Sequence, residues 1–169
     1  GIQGKKFIAV ERRAKNLIFK LSRNKILLVH LKMTGQFVYK AKLGIKKVIG
    51  GHPIELSEYV LPNKHTHIIF TLKNGTLYYN DVRTFGYLLY YPSLNEFEKN
   101  NHFGEYGREP LDKTFTEKYF VESLKNKRNK IKAVLMNQAI VTGIGNIYAD
   151  ESLFESGIRP DRSASSLKI

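Results

Sequence analysis

Residues 129–157, NKIKAVLMNQAIVTGIGNIYADESLFESG, contain two helical patterns separated by a glycine-rich break. The first pattern begins at Asn129, a residue type that caps helices well, and one helix face is marked by the i, i+3, i+4, i+7 spacing of Ile131, Val134, Leu135 and Gln138. Thr142-Gly143-Ile144-Gly145-Asn146 then interrupts the pattern, and residues 147–156 form a second helical segment closed by Gly157. The sequence therefore predicts two helices joined by a tight turn.

Strand-like segments dominate the chain upstream of these helices. They are short, rich in Ile, Leu, Val, Phe and Tyr, and lie at 6–10, 16–21, 25–31, 36–40, 65–72, 76–81 and 86–91. Asn74-Gly75 between two of them is a strong hairpin signal, whereas residues 41–64, with several glycines and two prolines, predict a long surface loop. A further helix is predicted at 116–125. Strands followed by helices indicate an α+β protein, with one domain over residues 1–104 and a helical domain over residues 105–169.

Composition places the chain among proteins that bind polyanions. It has 28 Lys and Arg against 15 Asp and Glu, a formal net charge of +13, and no cysteine. Because 42% of the residues are hydrophobic, a chain of this length can bury about 70% of its extended surface, which excludes disorder as its main state. No apolar run approaches the roughly 18 residues of a membrane span, and the first residues lack the apolar core of a signal peptide. We therefore expect an intracellular protein without disulfides.

The glycine turn at residues 142–146 has two interpretations. Backbone N–H groups at the start of the following helix, together with the helix dipole, favour a bound phosphate, as in the helix pairs that hold a nucleic-acid backbone. Alternatively, the glycines serve only the backbone angles of a helix–helix turn. At a net charge of +13 the phosphate interpretation is favoured.

Three motifs near predicted strands are open to similar alternatives. Arg12-Arg13-Ala14-Lys15 is either an anion site or a solvated charge cluster. His30-Leu31-Lys32-Met33-Thr34-Gly35 ends a strand with a histidine and a methionine, where a buried methionine filling a gap is the ordinary structure. Asp81-Val82-Arg83-Thr84-Phe85-Gly86 puts Arg83 and Phe85 on one face, and a core phenylalanine with a surface arginine is the ordinary structure there.

His65 and His67 occupy alternate positions of a predicted strand and would place two imidazoles on one face. Two imidazoles can contribute to a metal site, but no third ligand accompanies them. We therefore expect structural or phosphate contacts from both, and no metal site in these residues.

Taken together, the motifs resemble those of the formamidopyrimidine-DNA glycosylase family, bacterial repair enzymes that remove oxidised purines such as 8-oxoguanine and then nick the abasic strand. The similarity runs from about Phe7 to Leu167, and any one motif alone is weak. The motifs occur in the family's order and spacing: Arg12-Arg13-Ala14-Lys15, His30-Leu31-Lys32-Met33-Thr34-Gly35, Asp81-Val82-Arg83-Thr84-Phe85-Gly86, Glu109-Pro110-Leu111, and Gly143-Ile144-Gly145-Asn146-Ile147-Tyr148-Ala149-Asp150-Glu151 with Gly157-Ile158-Arg159-Pro160.

The resemblance implies a role for each ambiguous residue. Phe wedges between bases, Met occupies the hole left when the damaged nucleotide is flipped out, and Arg faces the orphaned base. The residues that match this intercalating trio are Met33, Arg83 and Phe85. The residues that match phosphate contacts around the lesion are Lys15, His30 and Asn146, with Lys15 close to the chemistry.

The resemblance also implies what these residues lack. Family members carry an N-terminal proline, whose amine is the Schiff-base nucleophile, followed by a glutamate that acts as general acid and base; neither is present here. They also carry a four-cysteine zinc finger, so zinc is expected only in the full-length protein. We therefore expect an internal fragment, inactive by itself, that contains most of a β-sandwich domain and the first half of a helix-two-turns-helix domain.

Four positions depart from the family pattern. The family usually has Gly at Ala14 and at Lys32, a second Arg at Thr84, and Pro at Arg108. The differences at Ala14 and Thr84 are mild. Lys32 and Arg108 add charge beside the predicted DNA-facing surface, and we expect them to change affinity more than chemistry.

The predicted function is that of a bifunctional DNA glycosylase and abasic-site lyase in base excision repair. We expect a monomer in the bacterial cytoplasm, associated with the nucleoid, that acts on double-stranded DNA containing an oxidised purine or an abasic site, with no membrane partner. One alternative is a non-catalytic nucleic-acid-binding module of the helix-two-turns-helix type, although a passive binder has no need of an intercalating trio. Another is an enzyme that uses Lys15 as nucleophile, which requires a lowered pKa at Lys15.

Overall fold

Two four-stranded antiparallel sheets form most of the first 91 residues in the computed structural model, which describes residues 1–43, 47–51, 60–101 and 103–167. The strands are β1 Phe7–Arg13, β2 Asn16–Leu21, β3 Lys25–His30, β4 Gly35–Ala41, β5 Lys47–Gly51, β6 Thr66–Leu72, β7 Gly75–Asp81 and β8 Tyr87–Tyr91. Their order is β1-β2-β3-β8 in the first sheet and β5-β4-β7-β6 in the second.

A single apolar core lies between the two sheets. Phe19 and Val29 enter it from the first sheet, and Phe37 and Tyr79 enter it from the second. The rings of Phe19 and Phe37 meet edge to face, with centroids 5.6 Å apart and planes at 77°, which is a favourable arrangement for an aromatic pair. The sheets therefore pack face to face as a β-sandwich, and the predicted α+β class is confirmed.

Two details of the strands differ from the sequence prediction. The predicted loop at 41–64 contains edge strand β5, which pairs with β4 from Gln36↔Gly51 to Lys40↔Lys47; residues 44–46 and 52–59 lie outside the described residues. The hairpin predicted at Asn74-Gly75 is present, but Leu72 pairs with Gly75, so the turn lies one residue earlier. Glycine is needed at 75 because a Cβ there would lie 2.4 Å from the Lys40 carbonyl oxygen.

A short helix, α1 Leu94–Asn100, follows the last strand and was not predicted. The hydroxyl of Ser93 accepts a hydrogen bond from the Glu96 N–H at 3.1 Å, and Phe97 buries its ring against Tyr91 with centroids 5.3 Å apart. Ser93 followed three residues later by Glu96 is the sequence signature of a helix start. By its internal contacts the chain divides into two units, Gly1–Glu98 and Lys99–Ile169.

The described residues of the second unit include three α-helices, α2 Glu117–Leu124, α3 Ile131–Met136 and α4 Asn146–Glu155, and short 3-10 helices at Phe103–Glu105 and Ala164–Ser166. Thr116 caps α2 by accepting from the Tyr119 N–H at 3.2 Å, as predicted for a threonine before a helix. The helices enclose their own apolar core, which contains Ile131, Val134, Leu135, Val141, Ala149 and Leu153. The longest helix among the described residues, α4, has 10 residues, too few to span a membrane.

The start and end of α3 differ from the prediction. Lys130, not Asn129, is the N-cap residue, and it makes no side-chain capping bond. Gln138 lies beyond the helix end at Met136, so it is not part of the predicted helix face. Its side chain instead hydrogen-bonds to backbone groups of the glycine turn.

Candidate nucleic-acid interface

Three loops lie at one end of the sandwich because of the strand register. In the first sheet Asn16 pairs with His30, and His30 pairs with Tyr87. The β1–β2 turn therefore lies beside the last residue of β3 and the first residue of β8. In the second sheet Gly35 pairs with Asp81. The β3–β4 and β7–β8 loops cross between the sheets at this same end. Residues far apart in the sequence are thereby brought together.

The β3–β4 loop, residues 31–34, is a tight turn that presents Met33. The Gly35 N–H donates to the Leu31 carbonyl at 2.8 Å, and a Cβ at Gly35 would lie 2.4 Å from that same oxygen. Met33 lies at the tip and is 60% exposed. The alternative that Met33 is buried and fills a gap in the core is therefore wrong.

The β7–β8 loop, residues 82–86, is held by the carboxylate of Asp81. Oδ1 accepts hydrogen bonds from the Arg83 N–H at 3.2 Å and from the Thr34 hydroxyl, and Oδ2 accepts from the Gly86 N–H at 2.8 Å. Thr34 belongs to the β3–β4 loop, and its hydroxyl also accepts from the Arg83 N–H at 3.1 Å. One carboxylate thus ties the two crossing loops together.

Hydrogen bonding keeps the Asp81 carboxylate ionised although it is buried. Burial by itself would raise the pKa of Asp81, but the hydrogen bonds from Thr34, Gly86, Arg83 and Tyr79 outweigh burial and hold that pKa below its ordinary value. The pKa of Tyr79 is raised to about 12 by its burial, by the charge on Asp81 and by their hydrogen bond. At neutral pH the carboxylate is therefore an acceptor surrounded by donors.

The predicted intercalating residues are in direct contact at the surface. Nη1 of Arg83 lies 3.2 Å from Sδ of Met33, and the guanidinium carbon of Arg83 lies 4.8 Å from the centroid of the Phe85 ring. Phe85 is 57% exposed, so the alternative of a core phenylalanine is wrong. We call these three residues the trio. Two apolar side chains with an arginine between them project from hydrogen-bonded loops, and their role against DNA stays a prediction.

A cluster of basic side chains lies beside these loops and consists of Lys15, His30 and Lys32, which we call the cation cluster. Nδ1 of His30 accepts the Lys32 backbone N–H at 3.0 Å, and its ring lies 5.6 Å from that of Tyr87. Burial, then the charges of Lys32 and Lys15, lower the pKa of His30 to about 4. Partial burial and the charge of Lys32 lower the pKa of Lys15. The cluster therefore holds a neutral imidazole between two ammonium groups.

The two histidines proposed as a possible metal pair do not act together. Strand β6 begins after His65, and its pairing is irregular between Thr66 and Ile68. Nε2 of His67 lies 2.8 Å from the Asp81 carbonyl oxygen, a structural contact. Within residues 1–43, 47–51, 60–101 and 103–167, no group of three or more His, Cys, Asp or Glu side chains is placed to hold a metal ion.

The glycine turn of the second unit is organised by Gln138. Its amide nitrogen donates to the carbonyls of Met136 and Ile144, both at 3.0 Å, and its amide oxygen accepts from the Gly143 N–H at 2.9 Å. Gly143 has φ 94°, a left-handed conformation that favours glycine. Gln138 thus binds one of the N–H groups that were expected to bind a phosphate, and its hydrogen bonds hold the turn in this shape.

Asn146 begins α4 at the exposed end of this turn. Gly145 is the N-cap residue and provides no side-chain cap, so the first N–H groups of α4 have no partner within the helix. Asn146, Ile147 and Tyr148 are all exposed. This terminus can accept an anion, whereas its position relative to the cation cluster of the other unit stays a prediction.

Arg108, one of the departures from the family pattern, packs within the second unit. Its guanidinium carbon lies 4.2 Å from the centroid of the Tyr119 ring, and its Nη1 donates to the Thr114 carbonyl. The Tyr119 hydroxyl in turn donates to the Ile140 carbonyl at 2.8 Å. The arginine therefore has a packing role that the sequence did not suggest.

Sequence reasoning assigned no role to Asp81 or Gln138, although both organise the site. Asp81 was visible only as the first residue of a motif, and the partner that matters most, Thr34, is 47 residues away in the sequence. Gln138 was placed on a helix face by its spacing. For neither residue does the sequence carry a local signal of its hydrogen bonds.

Comparison with known families matches both units. The model of the formamidopyrimidine-DNA glycosylase N-terminal domain matches residues 1–88, and the model of the formamidopyrimidine-DNA glycosylase H2TH domain matches residues 106–169. The chain belongs to the formamidopyrimidine-DNA glycosylase family. The resemblance inferred from its motifs is thereby confirmed.

Individual relatives agree with this assignment. A formamidopyrimidine-DNA glycosylase of Carboxydothermus hydrogenoformans is 40% identical over 166 residues, which are 98% of this chain and 53% of the relative. The glycosylase of Ureaplasma parvum is 38% identical over 165 residues, 97% of this chain and 54% of the relative. The chain thus spans about half the length of the curated relatives it matches.

Solved structures of formamidopyrimidine-DNA glycosylases share the fold. The Lactococcus lactis Fpg, in complex with DNA containing an abasic site, has a TM-score of 0.79 at 31% identity, with 98% of this chain and 55% of that chain covered. MutM, in complex with DNA containing carbocyclic 8-oxo-G, has a TM-score of 0.80 at 31% identity, covering 99% of this chain and 57% of that chain.

Proposed function

We propose that the chain is part of a bifunctional DNA glycosylase and abasic-site lyase that excises oxidised purines, 8-oxoguanine and formamidopyrimidines, in base excision repair. The observation that carries the proposal is the trio, in which Arg83 contacts both Met33 and Phe85 while all three side chains remain exposed. Relatives bearing this name, and relatives solved with damaged DNA, support it.

In this proposal the trio occupies the gap left by the flipped nucleotide. Extruding a base costs a few kcal/mol of stacking and pairing. Inserting Phe85 and Met33, 57% and 60% exposed in the free protein, offsets part of that cost by removing apolar surface from water. Arg83, held by Asp81 through its backbone N–H, offers guanidinium donors to the base left without a partner.

The basic groups hold the DNA backbone. Lys15 contributes an ammonium group and His30 a neutral imidazole whose pKa of about 4 keeps it uncharged at neutral pH. The uncapped start of α4 at Asn146 offers backbone N–H groups and the positive end of the helix dipole. Together these groups bind phosphates and not bases, so they position the DNA without reading its sequence.

The chemistry proposed for the whole protein uses an amine nucleophile. The amine attacks the sugar C1′ and displaces the damaged base, and the C1′–O4′ bond then opens to give an iminium ion, with O4′ protonated to a hydroxyl. The iminium is the electron sink: loss of a C2′ proton expels the 3′ phosphate, and a second elimination expels the 5′ phosphate. In the family this amine belongs to an N-terminal proline, which is not among these residues. The chain has no cysteine and, within its described part, no metal-ligand cluster, so the residues present do not fit a four-cysteine zinc site.

The experiment that tests this function compares two substrates in the full-length protein. Replacing Phe85 or Met33 with Ala should slow excision of a paired 8-oxoguanine by about 10-fold or more and leave cleavage of a ready-made abasic site nearly unchanged, because only the paired lesion must be unstacked. Val82→Ala, an exposed apolar residue of the same loop outside the trio, is the matched control. Equal losses on both substrates would mean that the trio supports only the fold.

The non-catalytic binding module is not favoured, because phosphate binding alone gives no reason for exposed Met33 and Phe85 to converge on Arg83. The lysine mechanism has one observation in its favour, since partial burial and Lys32 lower the pKa of Lys15 as that mechanism requires. The proposal includes a monomer in the bacterial cytoplasm, associated with the nucleoid, where its duplex substrate lies.

A further inference from the structure

We propose that Lys32 is an additional phosphate-binding residue of this chain, which together with Lys15 and His30 forms a three-point clamp on one stretch of DNA backbone. The inference rests on the proposed function, since it adds a contact to the same DNA-binding surface.

The backbone at Lys32 favours glycine and not lysine. Its φ of 52° lies in the left-handed region, where a side chain is strained. The backbone N–H already has a structural task, donating to Nδ1 of His30 at 3.0 Å, and glycine would perform that task equally well. The lysine side chain is exposed and adds nothing to the core. The backbone conformation therefore gives no reason for a lysine at this position.

The ammonium group of Lys32 is directed back over the end of the first sheet. Its Nζ lies 5.5 Å from the centroid of the Tyr87 ring, and that ring packs on His30 with centroids 5.6 Å apart. Within the described part of the chain, no carboxylate pairs with Lys32. The aromatic face therefore positions the cation next to His30 without neutralising it.

The hydrogen bond to His30 fixes which imidazole nitrogen faces a ligand. Because Nδ1 accepts the Lys32 N–H, the neutral ring carries its proton on Nε2. Nε2–H has no acceptor among the residues that the structure describes. The cluster thus offers one N–H donor flanked by two ammonium groups, a set that suits the oxygens of a phosphodiester.

The charges in the cluster repel one another in the free protein. Burial is the main cause that lowers the pKa of Lys15 and of His30, and the nearby charge of Lys32 lowers both further. A bound phosphate attracts the ammonium groups of Lys15 and Lys32 and accepts a hydrogen bond from the neutral His30 ring. The repulsion between the two ammonium groups is therefore relieved when an anion binds.

The test separates stability from DNA binding with four variants of the chain. Lys32→Gly removes both the charge and the strain, Lys32→Gln removes only the charge, and Lys32→Arg keeps it. Lys73→Gln is the matched control, because Lys73 is an exposed lysine in the β6–β7 turn at the other end of β7. Each is titrated with undamaged duplex at several salt concentrations, and its thermal unfolding is followed by circular dichroism.

We expect Lys32→Gly to unfold about 3 °C higher than wild type yet to bind duplex about 5-fold more weakly, with a log–log salt slope smaller by about one. Lys32→Gln should lose the same slope without gaining stability, while Lys32→Arg and Lys73→Gln should bind like wild type. If wild type binds with a steep slope and Lys32→Gly binds equally well, the clamp is overturned and the proposed function stands. If wild type shows no salt-dependent binding, both fail.

Discussion

At the scale of single residues, Asp81 decides whether the exposed trio can form. It is 1% exposed, and its carboxylate accepts from the Thr34 hydroxyl in one loop and from the Arg83 and Gly86 N–H groups in the other. Glycine is required at 86 for the same reason, since a Cβ there would lie 2.0 Å from the Tyr79 hydroxyl and 3.0 Å from Oδ2 of Asp81. The contacts of the trio depend on this charge.

Replacing Asp81 with Asn should destabilise the fold by about 2 kcal/mol, because hydrogen bonds to a charged acceptor are replaced by an amide that also presents donors to donors. The lowered pKa of Asp81 means that its contribution is complete above the ordinary pKa near 4 and is lost as pH falls through the folded value. Urea unfolding of both proteins should therefore give a constant difference from pH 5 to 7 that shrinks below about pH 4. A pH-independent difference would mean that the charge is not what holds the loops.

At the scale of elements, the glycine turn between α3 and α4 combines a strained backbone with a side-chain bridge. Gly143 adopts φ 94°, and its N–H is bound by the amide oxygen of Gln138. The turn therefore has a defined shape before any ligand binds, and that shape sets where α4 begins.

Gly143→Ala should destabilise the protein by about 1 to 2 kcal/mol, because a side chain at this φ is strained. Gly104→Ala is the control in the same unit: its φ is not positive and a Cβ there would meet no atom within 4 Å, so it should be neutral or slightly stabilising. Thermal unfolding of both variants checks the difference. Equal stabilities would show that the turn tolerates a side chain and has no need of glycine.

Much of the element pattern is predictable from the sequence, and its failures have physical causes. Strand β2 is predictable over its full length because it is a short apolar run, of which Leu17, Phe19 and Leu21 pack in the core between the sheets. Strand β5 is not, because an edge strand ending in two glycines has no strong strand signal. The start of α1 carries a readable capping pattern at Ser93 and Glu96.

The candidate site was less predictable than the fold. Periodicity cannot show that Met33 and Phe85 stay exposed, because both lie in loops outside any repeating pattern. Their contacts through Arg83 depend on strand pairing between β4 and β7. Family resemblance supplied the residues, whereas only the structure supplies the carboxylate that assembles them.

Across the whole molecule, DNA binding and chemistry depend on different groups. We expect no covalent adduct when this polypeptide is treated with borohydride on abasic DNA, because the proline amine of the family is not among its residues and Lys15 is assigned to phosphate as a cation. The full-length protein should give an adduct. An adduct on the 169-residue chain that disappears in Lys15→Ala would instead establish the lysine mechanism.

We expect this chain to bind the DNA backbone by itself, and titration of the chain with duplex DNA measures that binding. A net charge of +13, the cation cluster and the start of α4 predict weak binding that does not depend on sequence. Between about 50 and 200 mM salt, affinity should fall steeply, with a log–log slope near minus one for each phosphate contact. Binding that is absent at low salt, or that has no slope, would contradict the account.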